Sequence, residues 1–295
     1  MNKPKSITLK TCRNGFCATL YQLIGLVNYC ETNNVNFYLD KNEMFRYYNI
    51  YNKYSPWFYV FNDAKTLNNI NNILQTEGKD ELINIPPSAE QYFNMASIVD
   101  YDGMMLPEYR QKFNQTWKNN FTLSDNIVKM IESFTKSINF SEYLGVHIRG
   151  TDSHLHGKKL TIESIIKKID TAFSQAKHSK IFVMSDEQEY VDIVKNIFKD
   201  KVFYFDHVIR STNKVPIHEG WSPKYNYFQY SMHQERLIDN ILLEVLCLSK
   251  CKTAMLTRSS IAAITLINSP ELEYIHMDKE IRDHDGVNRN ENRSS

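Results

Sequence analysis

The sequence is marked first by what it lacks. No apolar run approaches the roughly 18 residues that a membrane span requires, and the opening M-N-K-P-K-S leads into a strand pattern, with no secretory apolar region. Charge of one sign is missing too. The 35 Lys and Arg against 34 Asp and Glu leave a formal +1, which excludes a global basic field for nucleic acid or an anionic membrane. Any anion must be held by a local cluster. Cysteines are few and odd in number: Cys12, Cys17, Cys30, Cys247 and Cys251. Cys247 and Cys251 lie four apart without histidines at zinc-finger spacing, so buried free thiols in a reducing compartment are expected. No internal repeat or long low-complexity tract appears. The balance of 42% hydrophobic and 23% charged residues is ordinary for a globular protein, so a soluble, cytoplasmic chain is expected.

What is present reads as alternating strands and helices. Ser6 to Cys12 alternates like a strand, Asn14-Gly15 is turn chemistry, and Phe16 to Cys30 has a helical apolar pattern. Asn36 to Leu39 follows as a second strand, which makes a βαβ opening with backbone N–H groups exposed at the helix start. Aromatics crowd residues 44 to 61, and core packing or sugar stacking are both open to them. Pro86-Pro87 marks a loop, Trp117 sits in a helix, and Leu123 to Ile138 is helical with Ser124 as N-cap.

The second half is more regular. Tyr143 to Ile148 is a buried strand, Thr161 to Lys177 an amphipathic helix, and Lys180 to Met184 a strand. Ser185 opens the next helix, with Gln188 placed as in a capping box. Val202 to Phe205 is a strand, Ser211 to Ser231 a loop rich in aromatics, and Glu235 to Lys250 a helix. Thr253 to Leu256, Ser260 to Ile267 and Tyr274 to His276 complete the alternation as strand, helix and strand. Such alternation predicts parallel, doubly wound α/β structure. The expected units are 1–140, an N-terminal α/β domain, and 141–277, a Rossmann-like domain. Residues 278–295 form a polar tail.

Candidate chemistry gathers where strands end. Arg149 follows the strand ending at Ile148, where open α/β sheets bind ligands. Its guanidinium can hold a phosphate in two bonds, and pairing with Asp152 is the alternative. Glu244 shares a stripe with Leu237, Ile241 and Leu248 in a helix apolar nearly all round. A carboxylate there must be paired. Guanine, with two adjacent N–H donors, is one partner, and Arg236, Lys252 or Arg258 is another. Arg258-Ser259-Ser260 opens a helix, either as a phosphate cradle or as a simple cap. Ser185-Asp186 faces a ligand or caps its helix. His147 has the place of a core histidine, and His154 and His156 are proton acceptors or solvated loop residues.

Three motifs, G-V-H-I-R-G-T-D at 145 to 152, M-S-D at 184 to 186 and E-V-L-C-L-S-K-C-K-T-A-M-L-T-R-S-S at 244 to 260, together resemble the α1,6-fucosyltransferase and NodZ-like family. That family lies within the wider group that includes protein O-fucosyltransferases. A weaker echo is N-G-F-C-A-T-L at 14 to 20. The resemblance implies a GT-B-like pair of Rossmann-type domains facing across a cleft. It also implies inverting, metal-independent transfer of L-fucose from GDP-fucose to a glycan hydroxyl. Arg149 would bind the β-phosphate, His147 and Glu244 the guanine side, and Ser259 and Ser260 phosphate, with Arg258 and Gly15 beside the donor. Asp152 would order the motif loop, and Ser185 and Asp186 would lie near the donor. No cofactor beyond the GDP-sugar is implied, and the acceptor would be an oligosaccharide or glycoconjugate.

Departures from the family pattern are specific. A second arginine often follows the first, and here that position is Gly150. Ser153 replaces a lysine, Gly157 falls near the position of the α1,6 enzymes' acid, and Glu244 stands where an Asp is usual. In the N-terminal turn, Cys17 replaces a glycine and Thr19 a glutamine. The base is therefore open among His154, His156, Glu219 and an acceptor that needs none, with Arg149, Asp152 and His154 as the catalytic candidates. Another GDP-sugar such as GDP-mannose, or a glycan-binding protein without catalysis, are the competing readings.

Overall fold

The structure, a computed structural model, describes residues 6–9, 15–39, 60–62, 68–69, 82–85, 104–151, 161–175, 178–212 and 234–277. Two parallel sheets organise them. In the first, β1 (Ser6–Leu9), β2 (Asn36–Leu39), β3 (Asn68–Asn69) and β4 (Leu82–Ile85) lie in the order β3-β2-β1-β4. All three pairings are parallel. Helix α1 (Phe16–Asn33) connects β1 to β2, as the turn at Gly15 predicts. It ends at Asn34, whose left-handed φ of 54° brings its N–H back to the carbonyls of Cys30 and Glu31. The short β3 and β4 have no periodicity long enough to read from the sequence.

The second sheet contains β5 (Tyr143–Ile148), β6 (Lys180–Ser185), β7 (Val202–Phe203), β8 (Thr253–Leu256) and β9 (Glu273–His276). Its order is β7-β6-β5-β8-β9, with every pairing parallel. Chain order runs one way from β5 to β7 and the other way from β8 to β9, which puts a topological switch between β5 and β8.

Helices cover both faces because side chains alternate along each strand. Leu144, Val146 and Ile148 of β5 pack with Ile165 and Ile169 of α4 (Ile162–Gln175) and with Val191 and Val194 of α5 (Gln188–Phe198). Phe182 and Met184 of β6, with Ala254 and Leu256 of β8, join the cluster that holds α6 (Gln234–Leu248) and α7 (Ser260–Asn268). Gly145 is a close approach of strand to helix. A Cβ there would lie 2.6 Å from Leu248 Cδ1 and 3.1 Å from Cys251 Sγ.

Two further helices, α2 (Pro107–Asn120) and α3 (Asp125–Thr135), precede β5. Helix α2 ties the first half to the second. Asn114 donates to the Ile267 carbonyl at 2.8 Å, Gln111 bonds Glu271, and the Arg110 guanidinium lies 4.8 Å from the Tyr274 ring centre. One apolar cluster accordingly runs from Phe16 to Leu272.

Several boundaries differ from the sequence reading. Ser185 is the last residue of β6, and α5 begins three residues later behind Glu187, without a side-chain cap bond. Ser124 does precede α3, but its side chain makes no cap bond; its backbone N–H goes to the Val60 carbonyl at 2.8 Å. Phe61 packs edge-on to Trp117 and Phe121 and is fully buried, so it belongs to the core. The other aromatics read between 44 and 59, and most of the loop at 211–231, lie outside the described residues. Cys17, Cys30, Cys247 and Cys251 are buried free thiols, and burial pushes the first three up to about 12. Cys12 lies outside the described residues.

Candidate active site

The switch between β5 and β8 collects the motif residues that the structure describes. β5 and β8 run in register, His147 beside Leu256, so their polar continuations Arg149 and Thr257 emerge together. Thr257 is buried and joins the two strand ends. Its Oγ1 accepts the Arg149 backbone N–H at 3.0 Å and donates to the His147 carbonyl at 2.7 Å. His147 Nδ1 lies 3.2 Å from the same oxygen. Which of the two donates across that contact follows from the imidazole tautomer.

His147 is buried, as the core-histidine reading expects, and its pKa falls to about 3. Burial is the main cause, and the nearby Arg149 charge adds to it. The imidazole is therefore neutral at physiological pH.

Ser259 is the N-cap of α7, its Oγ accepting the Ala262 N–H at 3.1 Å. Capping occupies that lone pair, and the first-turn N–H groups of Ser260 and Ile261 remain at the helix start beside Arg258, which is exposed. Gly15 stands at the equivalent place in the first sheet, as N-cap of α1, with its carbonyl accepting from the Thr19 N–H and hydroxyl.

Asp186 follows β6 and faces the loop after β5. One carboxylate oxygen accepts the Gly150 N–H at 2.7 Å. The other accepts the Thr151 hydroxyl at 2.6 Å and the Thr151 N–H at 3.3 Å. Beside it, Ser185 Oγ accepts the Glu187 N–H at 3.2 Å. The Glu187 side chain is buried against Gly150: a Cβ at position 150 would lie 2.6 Å from Glu187 Cδ. A side chain at position 150 would therefore have to displace Glu187.

Glu244 takes the paired alternative, with a partner outside the three weighed from the sequence. It forms a buried ion pair with Arg210, whose Nη1 also donates to the carbonyls of Phe205 and Val208 at 2.8 and 3.1 Å. Burial raises the Glu244 pKa and Arg210 opposes the rise. An acid in an apolar helix signals that a cation must exist, but helical spacing cannot identify one 34 positions away. Thr257, Thr151, Glu187 and Arg210 are thus the site residues the sequence reading missed. Asp152, His154, His156, Gly157 and Glu219 lie outside the described residues.

Two parallel sheets, with an arginine following the strand at the switch of the second, make this a mixed α/β fold. More particularly, it is the fold of the GDP-fucose fucosyltransferases. Fucosyltransferase NodZ from Bradyrhizobium superposes with a TM-score of 0.51 at 16% identity, covering 90% of this chain and 92% of that one. NodZ α-1,6-fucosyltransferase soaked with GDP-fucose gives 0.53 at 15% identity over the same shares. POFUT1 in complex with GDP-fucose gives 0.51 at 11%, covering 93% and 98%. A mutant of Arabidopsis thaliana FUT1 in complex with GDP gives 0.52 at 11%, covering 93% of this chain and 70% of that one. No protein-family model matches the sequence, and no curated protein matches it. The resemblance first read in three motifs therefore extends over the fold.

Proposed function

We propose that the protein is an inverting fucosyltransferase that moves L-fucose from GDP-fucose to a hydroxyl of an oligosaccharide or glycoconjugate. The observation carrying this reading is the convergence of Arg149, the start of α7 at Ser259 and Ser260, and the Thr257 tie at one switch point. It is supported by the fold shared with proteins solved with GDP-fucose. In this reading the two sheets form GT-B-like domains, 1–140 and 141–277, and the donor lies against the second.

The acceptor oxygen forms a bond to the anomeric carbon on the face opposite the diphosphate. The bond from that carbon to the β-phosphate oxygen breaks, its electron pair leaves with GDP, and the acceptor proton goes to a base. The base is open among His154, His156, Glu219 and an acceptor that needs none. Charge builds on the departing diphosphate, and Arg149 with the N–H groups of α7 meets it without a metal ion. His147, neutral at physiological pH, lies on the nucleoside side of the donor in this reading. Glu244 supports the pocket through Arg210, because its carboxylate is already engaged.

Thermal-shift measurements with GDP, UDP, GDP-fucose and GDP-mannose test the donor class. Selective stabilisation by the guanosine nucleotides is expected, followed by release of GDP from GDP-fucose once a glycan acceptor is supplied. Equal stabilisation by UDP contradicts the donor assignment. Turnover of GDP-mannose in preference to GDP-fucose changes the sugar, and binding across a glycan array with no turnover makes the protein a lectin-like binder.

A further inference from the structure

Among the described residues, the Asp186 carboxylate accepts three hydrogen bonds, all from the two residues that follow Arg149. Both of its carboxylate oxygens are engaged: one by Gly150 N–H, the other by Thr151 through hydroxyl and N–H. The acid is itself held from behind. Its carbonyl accepts the Ser211 N–H at 2.8 Å, the Ser211 carbonyl accepts the Gln188 N–H at 2.9 Å, and Glu187 forms a bridge to Ser211. Ser211 follows Arg210, which the buried pair with Glu244 fixes to α6. On its other side the Arg149 N–H is fixed to Thr257. Arg149 is therefore bracketed, by Thr257 at its own amide and by Asp186 at the next two.

The geometry points to Asp186 as a positioning residue, which fixes the Gly150-Thr151 backbone and through it the place of the Arg149 guanidinium, and not as a ligand of the donor. A carboxylate turned to the diphosphate would repel it. Turned to the loop amides, as here, it spends its charge on N–H groups that the loop cannot satisfy within a strand ladder. This assignment rests on the proposed function only for the nature of the anion that Arg149 receives. The tether itself is a property of the unliganded protein.

Two measurements on the full chain separate these parts. The first is amide hydrogen exchange of Gly150 and Thr151 without ligand, in the wild type and in Asp186→Asn and Asp186→Ala. The proposal expects faster exchange at both amides in both variants, larger in Asp186→Ala, with the amides of β6 unchanged. Unchanged exchange at Gly150 and Thr151 overturns the tether. The second is GDP affinity by calorimetry for wild type, Asp186→Ala, Arg149→Ala and the double variant. Asp186→Ala should weaken GDP by about tenfold in the wild-type background and by almost nothing where Arg149 is already absent, because the two act as one unit. Full additivity means that Asp186 contacts the donor itself, and overturns the proposal. A wild type that does not bind GDP overturns the proposed function, while the exchange data still decide the tether. Thr151→Val, which removes only the hydroxyl donor, should reproduce part of the exchange effect and confirms the path if Asp186→Ala folds poorly.

Discussion

The Thr257 hydroxyl lies 2.7 Å from the His147 carbonyl oxygen and closes the ends of two neighbouring parallel strands at the point where the sheet order reverses. The Thr257 hydroxyl oxygen also accepts the Arg149 N–H. Thr257→Val keeps the shape and removes both of these bonds as well as the contact with His147 Nδ1. It leaves a half-buried N–H and a buried carbonyl without this partner, at a cost of about 1–3 kcal/mol. Denaturant unfolding should show that loss, and Thr257→Ser should recover most of it.

The Arg210–Glu244 pair has side chains that are 1% and 4% exposed. Removing one partner strands a buried charge, and either Glu244→Gln or Arg210→Met should cost about 3–5 kcal/mol. Replacing both with apolar residues should cost clearly less than the sum. Additive losses in that double-mutant cycle would show that the two groups do not depend on each other.

A side chain at Gly150 would meet Glu187. Its Cβ would meet Glu187 Cγ and Oε2 at 2.8 Å and Cδ nearer still. Gly150→Ala should destabilise by about 1–3 kcal/mol through overpacking, and Glu187→Ser should relieve the crowding. A thermal melt of the single and double variants checks this. An alanine that melts like wild type would mean that the acid swings away freely.

The legible and illegible parts of this chain divide along physical lines. The long elements were readable because burial demands apolar residues: β5 is an apolar run buried at every position, and α6 is apolar nearly all round. The pairing of Glu244 was foreseeable as a need and not as an identity, since Arg210 sits in an irregular segment that has no period to follow. Ser185 reads as a helix start because Gln188 stands at capping-box spacing, yet its hydroxyl closes a local turn to Glu187 within the strand-to-helix connection. Asp186 was read as facing a ligand or capping its helix, and its hold on the Gly150-Thr151 loop was not foreseen, because two of the three donors it meets are backbone groups that no sequence pattern reports. The strands β3 and β4 are too short, and too polar in the case of Asn68–Asn69, to leave a signal.

His147 gives the fold a pH dependence of known sign. Its folded pKa of about 3 lies below its ordinary 6.5. Between those values the unfolded chain binds a proton that the fold does not, so stability rises with pH. The contribution is complete above about 6.5 and is lost as pH falls towards 3, with a slope of about 1.4 kcal/mol per pH unit. Urea unfolding from pH 4 to 7.5 should show this slope in the wild type and a shallower one in His147→Asn. Equal slopes would mean that the imidazole titrates normally in the fold.

The central claim is that Arg149, bracketed by Thr257 and the Asp186 loop, carries the charge of a departing GDP. Its most direct test is GDP release from GDP-fucose in the presence of a glycan acceptor, measured for wild type and Arg149→Ala after both are shown to melt at similar temperatures. Turnover in the variant should fall by about 10²–10³-fold, the scale of losing one preorganised donor to a developing anion. Turnover equal to wild type would contradict the account.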